Sequence, residues 1–211
     1  MKSVNRVAAL ALSVALVGCA NLKEVSNFAS ESAKFSAYTE LTTRYRDTYE
    51  RERPYFPGPK AEADAKVTDE QRKHAYQDLL KIHQAVGVYM KTLAVLAGDT
   101  TFDLSKEMKS LSAGIKPHPV GRITEKHVGA FSRITKIVTS AYQHKAVREM
   151  LKDGDPHLQI LLDGMMTLVD IYQETHNGEK MEFEKLEVRI HLTEKRIGTR
   201  AETKTINYLL S

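Results

Sequence analysis

Residues 76–97 read YQDLLKIHQAVGVYMKTLAVLA, and their apolar side chains recur at steps of three and four. That spacing places them on one face of an α-helix. Gly98 follows the stretch directly, and glycine commonly follows the last turn of a helix. Residues 68–71 read TDEQ, which is the pattern of a capping box with Thr68 as the cap. The sequence therefore predicts a long amphipathic helix between Thr68 and Gly98.

A stripe of aromatic residues precedes this helix, at steps of seven, three, seven and four. Its members are Phe28, Phe35, Tyr38, Tyr45 and Tyr49. The stripe predicts a first helix over residues 24–51, with the aromatic face turned toward the core. Three prolines and a glycine follow within residues 54–59, and such residues interrupt helices. We therefore expect a linker over residues 54–67.

Further helices follow in the second half of the chain. Apolar spacing predicts a short helix over Leu104–Ala113 and a long one over Thr124–Lys152. Gly154 then marks a break, and Asp155-Pro156 is a cap followed by proline, which predicts a new helix. Gly164 lies on the apolar face of that helix. It predicts either a close approach of another helix or an ordinary weak point.

The segment after the turn signal Asn177-Gly178 has two interpretations. Residues 181, 183, 188, 190 and 192 are apolar with a period of two, which is typical of a strand. Residues 183, 186, 190 and 197 are apolar with helical spacing, and the dense Glu and Lys favour the helix. We predict an all-α fold, a helical bundle of four long amphipathic helices plus a short helix and an uncertain C-terminal segment over 179–197.

Composition excludes several protein classes. The 211 residues are 42% hydrophobic and 27% charged, which is typical of a globular chain. The net charge of +4 falls to +2 without Lys2 and Arg6, too little to indicate nucleic-acid binding. No run beyond the N-terminal segment approaches the length of about 18 apolar residues that a membrane-spanning helix needs.

The N-terminus carries the most specific motif in the chain. Two basic residues precede an apolar run over residues 7–17, which is too short to span a bilayer. The run ends in Leu16-Val17-Gly18-Cys19, and Cys19 is the only cysteine. This arrangement resembles the bacterial lipoprotein precursors, whose lipobox has Leu, a small or aliphatic residue, Gly or Ala, and then Cys.

The resemblance implies how the chain is processed and where it resides. Cys19 would carry a covalent diacylglycerol and an acyl chain, and it would anchor the protein to a membrane. The expected organisation is a cleaved signal peptide over 1–18, a lipidated tether over 19–26, and one helical domain over 27–211 facing the periplasm. Ala20, where retention at the inner membrane would require Asp, implies the inner leaflet of the outer membrane in a Gram-negative cell.

The sequence contains no recognisable catalytic or metal-binding motif. No two of the eight histidines lie three or four residues apart, so none predicts a metal pair on one helix face. Ser112 lacks the glycine that a nucleophile elbow needs before it, and no glycine-rich phosphate loop is present. His83 lies on an apolar stripe, as a core histidine bonded to a neighbouring helix would. We expect a non-catalytic protein with no metal and no cofactor beyond the lipid.

The end of the first helix and the residues after it combine arginine with aromatic residues. These are the types most enriched in protein-binding hot spots. The candidate partner surface comprises Arg46, Tyr49, Arg53, Tyr55 and Phe56. Two other interpretations stay open: a solvated helix end, and aromatic residues that close the end of the bundle.

These observations predict a lipid-anchored envelope lipoprotein that acts by binding a protein, in an accessory or scaffold role. The alternative is an immunity or exclusion lipoprotein that neutralises an incoming toxin or phage factor. An enzyme or a carrier of small ligands agrees less well with the sequence.

Overall fold

The computed structural model describes most of the chain after the N-terminal segment. The ranges are 22–34, 36–98, 104–145 and 147–209, with side chains as far as residue 197. Within these ranges the backbone forms α-helices and two short 3-10 turns, and strand-like pairing is limited to the isolated bridge between His118 and Ile123. The all-α helical bundle is confirmed. Predictions that involve Cys19 and Phe35 fall outside the described residues.

Seven α-helices occur in the described ranges. They are α1 (22–32), α2 (Ser36–Arg46), α3 (Thr48–Glu52), α4 (Pro59–Leu96), α5 (Ser105–Leu111), α6 (Glu125–His144) and α7 (Val147–Leu209). The 3-10 turns are Arg53–Tyr55 and Pro119–Gly121. At 1.5 Å per residue, α4 is about 57 Å long and α7 about 95 Å.

The helix α4 lies at the centre of the bundle, in contact with α2, α3, α5, α6 and α7. The predicted stripe supplies much of its buried face, since Leu79, Val86 and Leu93 are all buried. Tyr89 and Ile82, from the same stretch, are buried as well. Burying side chains of this size stabilises the fold by about 1.5–3 kcal/mol each.

Side-chain contacts give the directions of the helices. The hydroxyls of Thr43 and Tyr76 lie 3.1 Å apart, and the Tyr49 hydroxyl donates to Glu62 over 3.0 Å, so α2 and α3 run antiparallel to α4. The Tyr89 hydroxyl donates to the carbonyl of Met150 over 3.1 Å, near the start of α7. Arg189, much later in α7, donates to the carbonyl of Tyr55 just before α4, so α7 also runs antiparallel to α4 and parallel to α2.

The predicted first helix is broken. Asp47 separates α2 from α3 with φ of −91° and ψ of 17°, and its carboxylate accepts two hydrogen bonds from Arg46. The chain also leaves the helix between α1 and α2. The aromatic stripe is correct for Tyr45 and Tyr49, which are buried, and wrong for Phe28, which is 64% exposed.

The prediction of a linker over residues 54–67 is wrong for most of its length. The helix α4 begins at Pro59, nine residues before the predicted cap Thr68. Proline at the first helical position needs no hydrogen-bond partner for its nitrogen, and the alanines that follow favour a helix. Only residues 56–58 separate the 3-10 turn from α4.

The break predicted at Gly154 falls instead at Lys145. Lys145 adopts a left-handed conformation with φ of +56°, and its amide donates to the carbonyl of Ala141. The helix α7 then continues through Gly154 and Pro156, although an interior proline costs about 3 kcal/mol. The buried side chains of Met150 and Leu158, on both sides of the proline, offset this cost.

The predicted turn at Asn177-Gly178 is also wrong, because α7 runs through both residues. The segment 179–197 is helical, so of its two interpretations the helix is confirmed and the strand is wrong. Helix packing in the preceding turns carries the helix past two residues of low helix propensity.

Other local predictions are confirmed. The helix α4 ends just before Gly98, whose φ is +109°, and α5 lies inside the predicted range Leu104–Ala113. Thr124 caps α6 in a capping box with His127. Gly164 is the point of close approach: a Cβ added there would lie 3.0 Å from Cδ2 of His127 on α6.

We predict opposite effects for alanine at two glycines of α7. A Cβ at Gly154 would lie 2.6 Å from the ring of Tyr89, whereas a Cβ at Gly178 meets no atom within 4 Å. Gly154→Ala should lower the free energy of unfolding by about 1–3 kcal/mol through overpacking. Gly178→Ala should raise it by about 0.5–1 kcal/mol, since alanine favours the helix. Thermal melting followed by circular dichroism measures both. Equal effects would show that α7 does not pack on Tyr89 as described.

Candidate functional site

The structure separates the five residues of the predicted partner surface. Arg46 binds Asp47 and lies 4.4 Å above the ring of Tyr76 on α4, so it contributes to the bundle. Tyr49 is buried, and its ring lies 5.9 Å from that of Phe56. These contacts place Arg46 and Tyr49 among the packing interactions of the bundle.

The remaining three residues lie near the start of α4 or beside α7. Arg53 approaches Glu62 on α4 to 3.5 Å. The ring of Tyr55 meets that of Phe183 edge-on, with centroids 5.7 Å apart, and the Tyr55 carbonyl accepts a hydrogen bond from Arg189. Tyr55 therefore joins the end of the bundle to the C-terminal half of α7.

A groove of about 400 Å³ opens between this loop and α7. Residues 54–57 form one wall. The other wall consists of Leu186, Arg189, Ile190, Thr193 and Glu194. Aromatic rings, an aliphatic floor and two opposite charges at the rim are features of protein-binding surfaces.

The segment of α7 that forms the groove carries an unusual number of exposed apolar side chains. Met181, Phe183, Val188, Ile190, Leu192 and Ile197 are between 44% and 62% exposed. Single exposed apolar residues are ordinary, but six within the 17 residues 181–197 mark this segment as a candidate interaction surface. We call residues 181–197, together with Tyr55 and Phe56, the α7 tip.

A charged cluster fixes α7 just before the tip. Glu179 accepts hydrogen bonds from Arg51, and from Arg44 over 3.1 Å. Burial acts to raise the pKa of the Glu179 carboxyl, but the hydrogen bonds and charges of Arg51 and Arg44 outweigh it and lower the pKa. Beside this cluster a pocket of about 360 Å³ is floored by Tyr45 and Tyr172. The cluster keeps α7 close to α2 and α3.

A second polar cluster lies between α4 and the segment that precedes α6. Nε2 of His118 lies 2.8 Å from Asp78, which also accepts from the amide of Lys116 and from Lys81. Burial acts to raise the pKa of the Asp78 carboxyl, and these three partners together lower it. The ring of His74 meets that of His118 with centroids 5.5 Å apart. The Asp78 carboxylate binds Nε2 and so fixes the orientation of the His118 ring, with Nδ1 as the other ring nitrogen.

His83 is buried on α4, as expected of a core histidine, but its predicted hydrogen bond to a neighbouring helix is wrong. Its Nε2 is buried with no hydrogen-bond partner in the described part of the chain. The ring instead lies 5.9 Å from that of Tyr38 on α2. Desolvation lowers the pKa of His83 to about 4. The residue is therefore neutral at pH 7.

Neither metal-binding groups nor membrane-spanning helices occur in the part of the chain that the structure describes. Among those residues, no three His, Cys, Asp or Glu side chains are placed to hold a metal ion together. None of the helices described is both long and apolar enough to cross a bilayer. The predicted lipidation site Cys19 lies outside these residues and stays a prediction.

Comparisons with models of known protein families, with curated proteins and with solved structures found no match.

Two groupings in the structure had no signal in the sequence. His74 and His118 are separated by 44 positions, and Glu179 lies more than 120 residues from both Arg44 and Arg51. Spacing along one helix cannot reveal such pairs, because tertiary packing brings them together. The α7 tip did have a signal, in the apolar residues of 181–197.

The pKa of His83 predicts how stability depends on pH. Since the unfolded chain binds a proton near pH 6.5 and the folded chain only near 4, stability should fall on acidification between these values. The slope should reach at most about 1.4 kcal/mol per pH unit. Thermal melting between pH 7 and 4.5 measures it, and His83→Leu should flatten the profile. The control His191→Leu, at an exposed site, should keep the wild-type slope. Parallel profiles for wild type and His83→Leu would contradict the assignment.

Proposed function

We propose that the protein is a lipid-anchored envelope lipoprotein that acts by binding another protein through the α7 tip, without catalysis. The lipobox Leu16-Val17-Gly18-Cys19 supports the anchor. Its resemblance to lipoprotein precursors, with Ala20 after the cysteine, supports a location at the inner leaflet of the outer membrane.

The observation that carries the binding role is the set of exposed apolar side chains within residues 181–197, of which Phe183, Ile190 and Ile197 lie on one face. The large side chains there lose the stabilisation of about 25 cal/mol per Å² that burial would give. A protein partner that covers this face would recover it. The rim charges Arg189 and Glu194 would orient such a partner.

The position of the α7 tip supports the same role. Ala33, which follows α1, lies beside Val88 and Lys91 toward the C-terminal end of α4, whereas the tip leaves the bundle near the start of α4. About 30 residues of α4 separate these levels, or about 45 Å. A lipid anchor ahead of α1 would therefore leave the tip at the far end of the bundle, accessible to partners.

We predict that anchoring depends on Cys19. The Cys19→Ala chain, expressed at full length in bacteria, should not incorporate radiolabelled palmitate, whereas the wild-type chain should. Three acyl chains hold a lipoprotein firmly, because each buried CH₂ contributes about 0.8 kcal/mol. Wild-type protein should therefore fractionate with membranes. Equal labelling of the two chains would refute the lipoprotein assignment.

We predict that the α7 tip touches a protein in the cell. A photoreactive phenylalanine analogue at position 183 of the full-length chain should give a covalent protein adduct after irradiation. The same analogue at position 166 is the matched control. Met166 is 67% exposed on the same helix but lies outside the tip, so this chain should give no adduct. Absence of an adduct at 183, or equal adducts at both positions, would exclude the tip as the binding surface.

A further inference from the structure

The apolar residues of the α7 tip follow the spacing of a coiled coil. Phe183, Leu186, Ile190, Thr193 and Ile197 recur at steps of three and four. In heptad terms Phe183, Ile190 and Ile197 occupy position a, and Leu186 occupies position d. Among parallel coiled coils, isoleucine at a with leucine at d favours two strands, and Ile190, Ile197 and Leu186 follow that pattern. Phe183, Ile190 and Ile197 remain close to half exposed or more, although Tyr55 packs against Phe183, so this side of α7 has area left for a second helix.

The charges beside this seam differ between its two sides. Arg189 and Arg196, at position g, flank one side, while Glu187 and Glu194, at position e, flank the other. Glu182 is the exception on the arginine side, and it is paired with Lys185 of its own chain over 2.6 Å. An antiparallel copy would bring each side against its own like charges. A parallel copy brings arginine against glutamate, and Arg189 of each chain then faces Glu194 of the other.

The same two residues stand on the rim of the groove. Arg189 and Glu194 both line it, with Leu186, Ile190 and Thr193 between them. A helix that fits this groove needs an apolar stripe with an acidic side and a basic side. In the parallel orientation the α7 tip of a second copy has that arrangement.

We infer that the partner of the α7 tip is a second copy of this chain, joined in a parallel two-fold pair through residues 183–197. The inference rests on the proposed function, which makes the tip the binding surface. A parallel pair places both N-termini at the same end, so two lipid anchors enter one membrane. The seam spans about 22 Å, and confinement to a membrane raises the effective concentration for so short a seam.

The test is disulfide cross-linking of the full-length chain in bacterial membranes. In a parallel pair, like a-positions face each other, so Ile190→Cys and Ile197→Cys should each form a disulfide with its own copy under mild oxidation. Met166→Cys is the exposed control, and the wild-type chain, with Cys19 alone, is the blank. Neither should cross-link. If Ile190→Cys and Ile197→Cys both stay monomeric, or Met166→Cys links as well, self-association is overturned.

A charge exchange tests the orientation. In the Ile190→Cys chain, Arg189→Glu or Glu194→Arg alone should reduce the cross-linked fraction several-fold. The two together should restore it, because the pair is re-formed with the charges exchanged. A disulfide at 190 without one at 197 would indicate an antiparallel crossing and overturn the parallel pair.

The outcomes separate this inference from the proposed function. A photoadduct at position 183 with a different protein, without disulfides at 190 or 197, would reject the second copy and keep the binding role. Absence of both would reject both.

Discussion

The contact between Gly154 and the ring of Tyr89 sets the register of α7 on α4. The missing side chain at Gly154 lets the helices approach, and the Tyr89 hydroxyl binds the carbonyl of Met150 one turn earlier. Because α7 is one continuous helix, the position of Gly154 against Tyr89 also determines which later residues of α7 face the neighbouring helices. Thr42 meets Tyr172, and then Glu179 meets Arg51. From Met150 to Phe183 the helix covers about 50 Å, and from Phe183 to Leu209 about 39 Å more. The length of α7 alone therefore takes it past the end of the bundle.

The sequence predicted the fold where local patterns and packing agree. The stripe around Leu79 and Leu93, the stop at Gly98 and the cap at Thr124 are all present, since each signal lies within a few residues of its effect. Predictions failed where packing outweighs local preference. Pro156 and Asn177-Gly178 are normal helix interruptions, yet buried residues of α7 lie on both sides of Pro156, and Glu179 binds Arg51 just after Gly178. Lys145 carried no signal, although the chain reverses there so that α7 can lie along α6, its most extensive partner.

The candidate site was predictable to a smaller degree. Tyr55 and Phe56 were identified from composition and do lie at a surface groove, whereas Arg46 and Tyr49, chosen by the same criterion, pack on α4 and Phe56. Composition cannot distinguish them, because it does not tell which face of a broken helix meets α4. The apolar residues of 181–197 were visible in the sequence as an ambiguity between strand and helix. That ambiguity arises because the segment has apolar residues on two sides, with Val188 and Leu192 opposite the seam.

The seam of the α7 tip continues the core stripe of the bundle. Leu161, Met165, Leu168 and Tyr172 recur at steps of three and four and are buried in the bundle. The same steps lead to Phe183, Leu186 and Ile190, of which Phe183 and Ile190 are 44% and 49% exposed. The same apolar spacing thus forms part of the core up to Tyr172 and the proposed interface from Phe183 onward. Because both parts belong to one continuous helix, their relative orientation is fixed. An insertion of one residue between Tyr172 and Phe183 would turn the tip by about 100° relative to the bundle. Phe183 would then leave Tyr55, and the groove would lose its helical wall while the core remained packed.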